Sequence, residues 1–264
     1  MALGALAAAA VALLVVPVAA GARTLYVSHF GSNDISAFTI EPSGALSPLA
    51  GSPFDAAVTR LGVAITPDGR HLYTADSAPD DQVSAYSIAP NGALSKVEDR
   101  STGGSSFGTA VTPEGRRLYV TVRGADQVAG FNIAADGTLS AVPGSPFAAG
   151  DQPWGTAVTP DGRHLYVTNF ASNSVSGYTL GADGALSALP GSPFPAAGGM
   201  PKGLAVTPDG RHLYVGEVEG DIVAYSIGPD GGLGQVPGSP FDAGHAPQGP
   251  CAGAERAMAL LGEL

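Results

Sequence analysis

The sequence offers little for building a covalently or electrostatically stabilised scaffold. Cys251 is the only cysteine, and charged residues make up just 13% of the 264 residues. A single cysteine excludes an intramolecular disulfide and any zinc site built from several cysteines. The protein must therefore be held together by packing of its apolar residues, which make up 44% of the sequence.

Positive charge is also scarce. The sequence has 12 Lys and Arg residues against 23 Asp and Glu residues, a formal net charge of −11. An acidic surface repels nucleic-acid phosphates and lacks the basic clusters that bind anionic membranes. We therefore expect no nucleic-acid partner, and membrane association only through the N-terminal segment.

Motifs for nucleotides and metals are missing as well. The sequence contains neither a P-loop nor the His-Glu-x-x-His pattern of zinc hydrolases. The acidic residues of Asp80-Asp81 and Gly220-Asp221 are too sparse for a calcium loop. We predict no cofactor and no metal site.

The first 22 residues are uncharged and strongly apolar. A run of Ala, Leu and Val extends from Leu3 to Val18 and ends in the small residues Ala20-Gly21-Ala22. This pattern predicts a signal peptide over residues 1–22 that is cleaved after Ala22. The alternative is an uncleaved anchor, because the run is nearly long enough to span a bilayer. Both interpretations predict a secreted or extracytoplasmic protein.

The rest of the chain is an internal repeat. The block Thr66–Tyr73 (Thr-Pro-Asp-Gly-Arg-His-Leu-Tyr) returns, with changes, three more times, and its second half also occurs at Arg23–Tyr26. The equivalent tyrosines are 46 to 48 residues apart, at Tyr26, Tyr73, Tyr119, Tyr166 and Tyr214. A period of this length indicates propeller blades or a solenoid.

Each repeat unit is predicted to form four strands and no helix. In the fourth unit these strands, A to D, are expected at Gly155–Thr159, His164–Thr168, Ser174–Leu180 and Ala185–Leu189. Pro-Asp-Gly and Asp-Gly turns separate them, because proline fixes φ and glycine accepts a positive φ. The sequence therefore predicts an all-β propeller over residues 23–250, followed by an irregular or short helical tail over residues 251–264.

The blades are expected to bury one another's faces. Recurring phenylalanines are predicted between blades, at Phe54, Phe147, Phe194 and Phe241, whereas the second unit has Val97–Arg100 instead. The repeat region opens at strand B, so the first blade is expected to lack its own strand A, and residues 246–253 are a poor closing strand. The sequence leaves open a five-bladed ring or a truncated seven-bladed ring.

The repeat resembles a known family. Leu165–Asn169 (Leu-Tyr-Val-Thr-Asn), preceded by Pro160-Asp161-Gly162-Arg163, is similar to the YVTN-type propeller repeat. With Ala182–Ser187, the unit resembles the lactonase-like propellers of the 6-phosphogluconolactonase type. The resemblance implies a ring of seven blades, lactone hydrolysis, and a histidine near the start of one strand A. The corresponding positions here are Leu61, Phe107, Trp154, Lys202 and Gln248, none of them histidine.

Residues that differ between otherwise equal blades are free to serve a ligand. They concentrate at the starts of the A strands and the ends of the B strands, which a propeller brings to one rim. From this rim we predict candidate catalytic residues at His29, Asp76, Glu217 and Lys202. The candidate ligand-binding residues are Arg60, Arg123, Trp154 and Asn169. His71, His164 and His212 recur at one repeat position and are assigned to the scaffold.

Three functions compete. The first is an extracytoplasmic, monomeric scaffold that binds a small molecule, a glycan or a protein at this rim. The alternative is a lactone hydrolase with its site on the same rim, where a carboxylate or His29 activates water and Lys202 or Arg123 stabilises the oxyanion. The third is a truncated, inactive fragment.

Overall fold

A computed structural model describes residues 13–18, 22–29, 32–56, 60–77 and 79–244. These residues form five antiparallel sheets, and their only helical segment is a 3-10 turn at Arg123–Ala125. None of them belongs to a helix with the length and hydrophobicity needed to cross a membrane. The all-β propeller predicted from the repeat is confirmed.

Each sheet is one blade. Blade 1 consists of β1 (Leu13–Val18), β2 (Ala22–Ser28), β3 (Asp34–Ile40), β4 (Leu46–Pro48) and β5 (Phe54–Asp55). Blade 2 consists of β6 (Arg60–Ile65), β7 (His71–Asp76), β8 (Gln82–Ile88) and β9 (Leu94–Ser101). Blade 3 consists of β10 (Ser106–Val111), β11 (Arg117–Val122), β12 (Gln127–Ile133), β13 (Leu139–Ala141) and β14 (Phe147–Ala148). Blade 4 consists of β15 (Pro153–Val158), β16 (His164–Asn169), β17 (Ser174–Leu180), β18 (Leu186–Ala188) and β19 (Phe194–Pro195). Blade 5 consists of β20 (Pro201–Val206), β21 (His212–Glu217), β22 (Asp221–Ile227), β23 (Leu233–Gln235) and β24 (Phe241–Asp242).

The Pro-Asp-Gly turns fix the hairpin between strands A and B. In blade 4, Gly162 has φ +73° and donates its amide to the carbonyl of Thr159 at 2.9 Å. The hydroxyl of Thr159 donates to Asp161 Oδ1 at 2.5 Å and accepts the amide of His164 at 3.0 Å. The side chain of Thr159 thus closes the same turn that proline and glycine shape.

The outer edge of a blade has two parts. After strand D, a two-residue strand returns to pair with the beginning of strand C, as Phe194 does opposite Val175. This strand was not predicted. Blade 2 lacks the Pro-Gly-Ser-Pro-Phe segment, and there β9 pairs with strand C along its whole length from Leu94 to Ser101.

Hydrophobic clusters span neighbouring blades. One joins Tyr166, Val175 and Phe194 of blade 4 to Leu204 and Val215 of blade 5. The A strands contact one another in the order β1, β6, β10, β15, β20. Stacking therefore covers faces that a single blade would leave exposed.

Blade 1 differs from the expectation. Strand A is present, because β1 pairs with β2 along its length, from Leu13 opposite Val27 to Val18 opposite Ala22. β1 lies within the predicted signal segment, and cleavage after Ala22 would separate it from β2; the cleavage stays a prediction. The predicted closing strand at 246–253 and the tail at 251–264 lie outside the described residues.

Candidate functional site

The strand register brings the varying positions to one rim. In each of blades 2 to 5 the start of strand A pairs with the end of strand B, as Pro153 does with Asn169 and Pro201 with Glu217. The Pro-Asp-Gly turns lie at the other end of the same hairpins. We call these ends the site rim and the turn rim.

A β-bulge recurs at the start of strand A. Register shifts of one residue occur between Ser106 and Thr109, Pro153 and Thr156, and Pro201 and Leu204, with a similar shift after Arg60. A bulge redirects the side chains next to it. The bulges contain Phe107, Trp154 and Lys202, the varying residues of the site rim.

Glycines after these residues let neighbouring A strands approach closely. A Cβ atom at Gly108 would lie 2.5 Å from the carbonyl oxygen of Trp154, and one at Gly155 would lie 2.5 Å from that of Lys202. Only glycine leaves room for such an approach. The bulges of three successive blades are therefore held side by side.

Threonines on blades 3 and 4 fix two of these bulges. Thr121 accepts the amide of Gly108 at 2.7 Å and donates to the carbonyl of Trp154 at 2.7 Å. Thr168 accepts the amide of Gly155 at 2.8 Å and donates to the carbonyl of Lys202 at 2.6 Å. Each hydroxyl thus links the bulge of its own blade to that of the next.

The result is a group of five side chains that we call the basic–aromatic cluster. The guanidinium carbon of Arg123 lies 4.9 Å from the ring centre of Trp154, and Lys202 Nζ lies 5.1 Å from it. Phe107 and Phe170 have ring centres 4.7 and 5.3 Å from that of Trp154. Both cations are within the distance at which an aromatic ring attracts them.

A neutral side chain orients Arg123. Gln152 Oε1 accepts hydrogen bonds from Arg123 Nη2 at 2.6 Å and Nε at 3.2 Å. Gln152 is held in turn by its amide, which donates to Asp126 Oδ1 at 2.8 Å. Asp126 and Gln152 both have positive φ, 54° and 53°, so the loops around the cluster take up specific conformations.

The two cations affect each other. Burial, and then the positive charge of Arg123, lower the pKa of Lys202. Among the described residues, no carboxylate forms an ion pair with Arg123 or Lys202. The cluster is therefore a local positive site in a protein of net charge −11.

The ends of the B strands point into the fold. Asp76, Asn169 and Glu217 are fully buried. Asp76 Oδ2 accepts a hydrogen bond from Ser84 at 2.5 Å, and Asn169 Nδ2 donates to the hydroxyls of Ser174 and Ser176 at 3.0 and 2.9 Å. The side chains of Asp76 and Asn169 are thus engaged in structural hydrogen bonds.

Glu217 is different. Neither of its carboxylate oxygens has a hydrogen-bond partner of good geometry. Burial raises the pKa of Glu217, an effect that the nearby amides of Gly199 and Gly198 offset only in part. A buried carboxyl whose loss of hydration is not made up by hydrogen bonds favours its protonated form.

The remaining predicted residues are not joined to the cluster by any described contact. His29 follows β2 on the same rim, where Nε2 lies 2.9 Å from Ser36 Oγ and 3.8 Å from Asp34 Oδ1. Arg60 begins β6 opposite Asp76, and its side chain is outside the described part of the protein. The structure thus brings together Arg123, Trp154 and Lys202. The roles of all eight residues stay predictions.

Sequence reasoning missed Gln152 and Phe170. Phe170 follows Asn169 at the repeat position occupied by Ser77, Arg123 and Val218 in other blades, so the variation at this position was a usable signal.

Sequence reasoning also passed over the segment Gly104–Gly108, which has the Gly-x-Ser-x-Gly spacing of hydrolase nucleophiles. Ser106 of this motif is fully buried at the start of β10 and lies 2.6 Å from Thr102 Oγ1, not on an exposed strand–helix turn.

Comparison with known proteins supports the family resemblance. Residues 108–193, which include the cluster residues Arg123, Trp154 and Phe170, match the family model described as lactonase, 7-bladed beta-propeller. The predicted resemblance to the lactonase-like propellers is confirmed. A search of curated proteins found no match to this chain.

Solved structures share the propeller fold of this chain. The periplasmic gluconolactonase of Pseudomonas aeruginosa is 24% identical with a TM-score of 0.70, over 81% of this chain and 68% of that one. A Bacteroides uniformis protein provisionally assigned as a 6-phosphogluconolactonase is 18% identical with a TM-score of 0.73, over 83% and 69%. A protein of unknown function from Desulfotomaculum acetoxidans is 21% identical with a TM-score of 0.71, over 81% and 65%. The chain thus spans about two thirds of the length of these structures.

Proposed function

We propose that this lactonase-like propeller binds an anionic small molecule at the basic–aromatic cluster. The observation that carries the proposal is the pair of cations, Arg123 and Lys202, held about 5 Å from one indole without a described acidic partner. Placing like charges together costs free energy, and a bound anion would offset this cost.

The aromatic residues narrow the class of ligand. Trp154 presents a half-buried ring beside the two cations. A compact molecule with an apolar ring face and a carboxylate or phosphate would stack on the indole and pair with the cations. A uronic acid or a pyranose phosphate has this chemistry, and the names of the structural neighbours, which refer to sugar lactones, support a carbohydrate-derived ligand.

We further propose that the protein acts outside the cytoplasm. The uncharged, apolar residues 1–22 support export. One structural neighbour with the same fold is described as periplasmic, which also supports export.

Hydrolysis of a lactone is the second candidate. The family model supports it, because it bears the name lactonase. In this version Arg123 and Lys202 would stabilise the oxyanion as the ring opens, and the product would be a hydroxy acid that the same cations bind. The predicted bases Asp76 and Glu217 are fully buried, which favours binding over hydrolysis.

Binding can be followed through Trp154, the only tryptophan in the chain. Titration with glucuronate or glucose 6-phosphate should change its fluorescence saturably. Lys202→Met should weaken binding by roughly 10- to 100-fold, since a charge-assisted hydrogen bond contributes roughly 1.5–3 kcal/mol. Affinity should begin to fall at a lower pH than the ordinary lysine pKa of 10.5 implies, because deprotonation of Lys202 removes one cation.

Arg163→Ala is the matched control, because Arg163 is an exposed cation on the turn rim. It should bind both anions as the wild type does. Equal losses in the two variants, or no saturable signal with either anion, would overturn the proposal. Turnover of glucono-δ-lactone in a pH-stat, lost in Lys202→Met, would establish the second candidate.

A further inference from the structure

The guanidinium of Arg123 has more donors than its surroundings satisfy. A guanidinium carries five N–H groups. Nε and Nη2 of Arg123 share one edge of the group, and both donate to Gln152 Oε1. In the described part of the chain, these are the only hydrogen bonds that the guanidinium makes. Nη1 and the second N–H of Nη2 therefore form another edge that has no described acceptor.

The rings around Arg123 leave this second edge unpaired. The ring centres of Phe107, Trp154 and Phe170 lie 5.2, 4.9 and 5.5 Å from the guanidinium carbon. Rings attract a cation through their faces, but a phenyl ring carries no acceptor atom and the indole nitrogen only donates. The two terminal nitrogens of an arginine form a fork that matches the two oxygens of a carboxylate or phosphate.

The backbone does not require a glutamine at position 152. Met200 is the equivalent residue of blade 5, and each of the two precedes the proline that begins strand A. Both have φ 53°. The amide of Gln152 donates to Asp126 Oδ1 at 2.8 Å. The amide of Met200 makes the equivalent bond, to Asn173 Oδ1 at 2.7 Å. The same loop thus forms with either side chain, and what the glutamine adds is the acceptor that holds Arg123.

We propose that Gln152 sets the charge selectivity of the basic–aromatic cluster. It holds one edge of Arg123 as a carboxylate would, but it leaves the positive charge of the guanidinium unneutralised. The other edge, Nη1 and Nη2, binds the two oxygens of the ligand's carboxylate or phosphate. A neutral ester of the same ligand keeps the stacking on Trp154 and loses this paired contact. The selectivity presupposes the proposed function, because it concerns the same bound anion.

Two ligands with the same ring measure the selectivity in the full chain. Glucuronate and its neutral methyl ester differ in charge, and fluorescence titration should show that the wild type binds glucuronate at least roughly tenfold more tightly. Gln152→Glu preserves the shape of the side chain but neutralises Arg123, so it should lower this ratio at least roughly fivefold. Gln152→Met leaves Arg123 charged and unheld. It should weaken glucuronate binding by only roughly two- to fivefold and keep most of the ratio.

Stability separates charge selectivity from a purely structural role. If Gln152 only held Arg123 in place, a glutamate would serve better than a methionine in both binding and stability. We expect urea unfolding to rank Gln152→Glu above Gln152→Met, and glucuronate affinity to rank them in the opposite order. Gln235→Glu is the matched control, because it makes the same change of charge at an exposed position of β23. It should leave the ratio of the two affinities unchanged.

A measurement without ligand examines the second edge of Arg123 directly. Phenylglyoxal bonds to the two terminal nitrogens of an arginine, and it reacts with the uncharged form, which a paired carboxylate disfavours. Peptide mass spectrometry should find Arg123 modified in the wild type and in Gln152→Met. Relative to the exposed Arg163, its modification should be at least roughly tenfold slower in Gln152→Glu.

The proposal would be overturned by an unreactive Arg123 in the wild type, or by equal reaction rates in Gln152→Glu and Gln152→Met. An unchanged ratio of the two affinities in Gln152→Glu would overturn it as well. Failure of the proposed function looks different, because neither glucuronate nor glucose 6-phosphate then gives a saturable signal in the wild type, while the reaction rates of Arg123 still differ between the variants. That result would remove the selectivity together with its premise.

Discussion

The two rims of this propeller share one set of hairpins but hold two of their carboxyl groups, those of Asp161 and Glu217, in different ways. On the turn rim, the hydroxyls of Thr66, Thr159 and Thr207 each donate to an aspartate two residues on, at 2.5–2.6 Å. On the site rim, the buried carboxyl of Glu217 makes no hydrogen bond of good geometry and two cations lie together. The residues that repeat thus stabilise the turns of one rim, whereas the residues that vary between blades at the other rim are available to a ligand.

The largest predicted effect tests whether close packing builds the site rim. Gly155→Ala would place a Cβ 2.5 Å from the carbonyl oxygen of Lys202 and 2.7 Å from Leu204 Cδ2. Separating blades 4 and 5 to make room should lower the free energy of unfolding by about 1–3 kcal/mol. It should also weaken anion binding, because Trp154 and Lys202 move apart. Urea unfolding and the fluorescence titration measure the two effects.

Gly124→Ala is the control on the same rim. A Cβ there would lie no closer than 3.6 Å to another residue, and Gly124 is exposed. We expect a change in stability below about 0.5 kcal/mol and unchanged binding. If the two alanine variants behave alike, close approach of the A strands does not organise the cluster.

The second prediction concerns the buried carboxyl of the site rim. Because the pKa of Glu217 is raised in the folded protein, ionisation opposes folding. The protein should lose this part of its stability as pH rises from the ordinary pKa of 4.5 through the raised value. Glu217→Gln should therefore be more stable than the wild type at pH 7, by on the order of 1 kcal/mol. Below pH 4.5 the difference should vanish, as thermal melts across the range would show.

A Glu217→Gln protein that melts below the wild type at pH 7 would mean that the carboxylate has a stabilising partner. Such a result would remove the contrast between the rims. A pH-stat assay can show that the wild type hydrolyses a lactone. If Glu217→Gln then loses this turnover but still binds the anion, Glu217 is the base predicted from the sequence.

Most of the fold could be predicted because the turn residues repeat. Strand C of blade 4 was expected at Ser174–Leu180, and β17 has these bounds; strand B was expected at His164–Thr168, and β16 extends one residue further to Asn169. The continuous β9 also follows from a visible feature, the missing Pro-Gly-Ser-Pro-Phe segment of blade 2. Local residue types determine these elements, so one sequence suffices.

The site was predicted only in part, because its geometry depends on contacts between blades. The rim and the candidates Arg123, Trp154 and Lys202 follow from comparing equivalent positions. The bulges that aim these side chains depend on strand register, for which the recurring glycines at Gly62, Gly108 and Gly155 were the only sign. The burial of Asp76 and Glu217 depends on neighbouring segments that the repeat pattern does not specify.

The smallest predicted effect concerns Asp161 on the turn rim. Its pH dependence is opposite to that predicted for Glu217. Burial alone would raise the pKa of Asp161, but hydrogen bonds from the Thr159 hydroxyl and the Arg163 amide outweigh it and lower that pKa. The stabilisation is therefore present above the ordinary pKa of 3.8 and is lost as pH falls through the lowered value. Asp161→Asn keeps an acceptor and loses the charge, so we expect a loss of about 0.5 kcal/mol at pH 7 that disappears in acid.

Blade 3 supplies the control for this effect, because it has Glu114 where the other turns have aspartate. There the hydroxyl of Thr112 donates to the backbone carbonyl of Arg117 and accepts its amide, without the bond to a carboxylate. Glu114→Gln should therefore leave the melting temperature unchanged between pH 3 and pH 7. Should Asp161→Asn and Glu114→Gln shift it equally, the threonine–aspartate pair contributes nothing specific. The two rims would then differ only in which residues they carry, and no longer in how Asp161 and Glu217 are held.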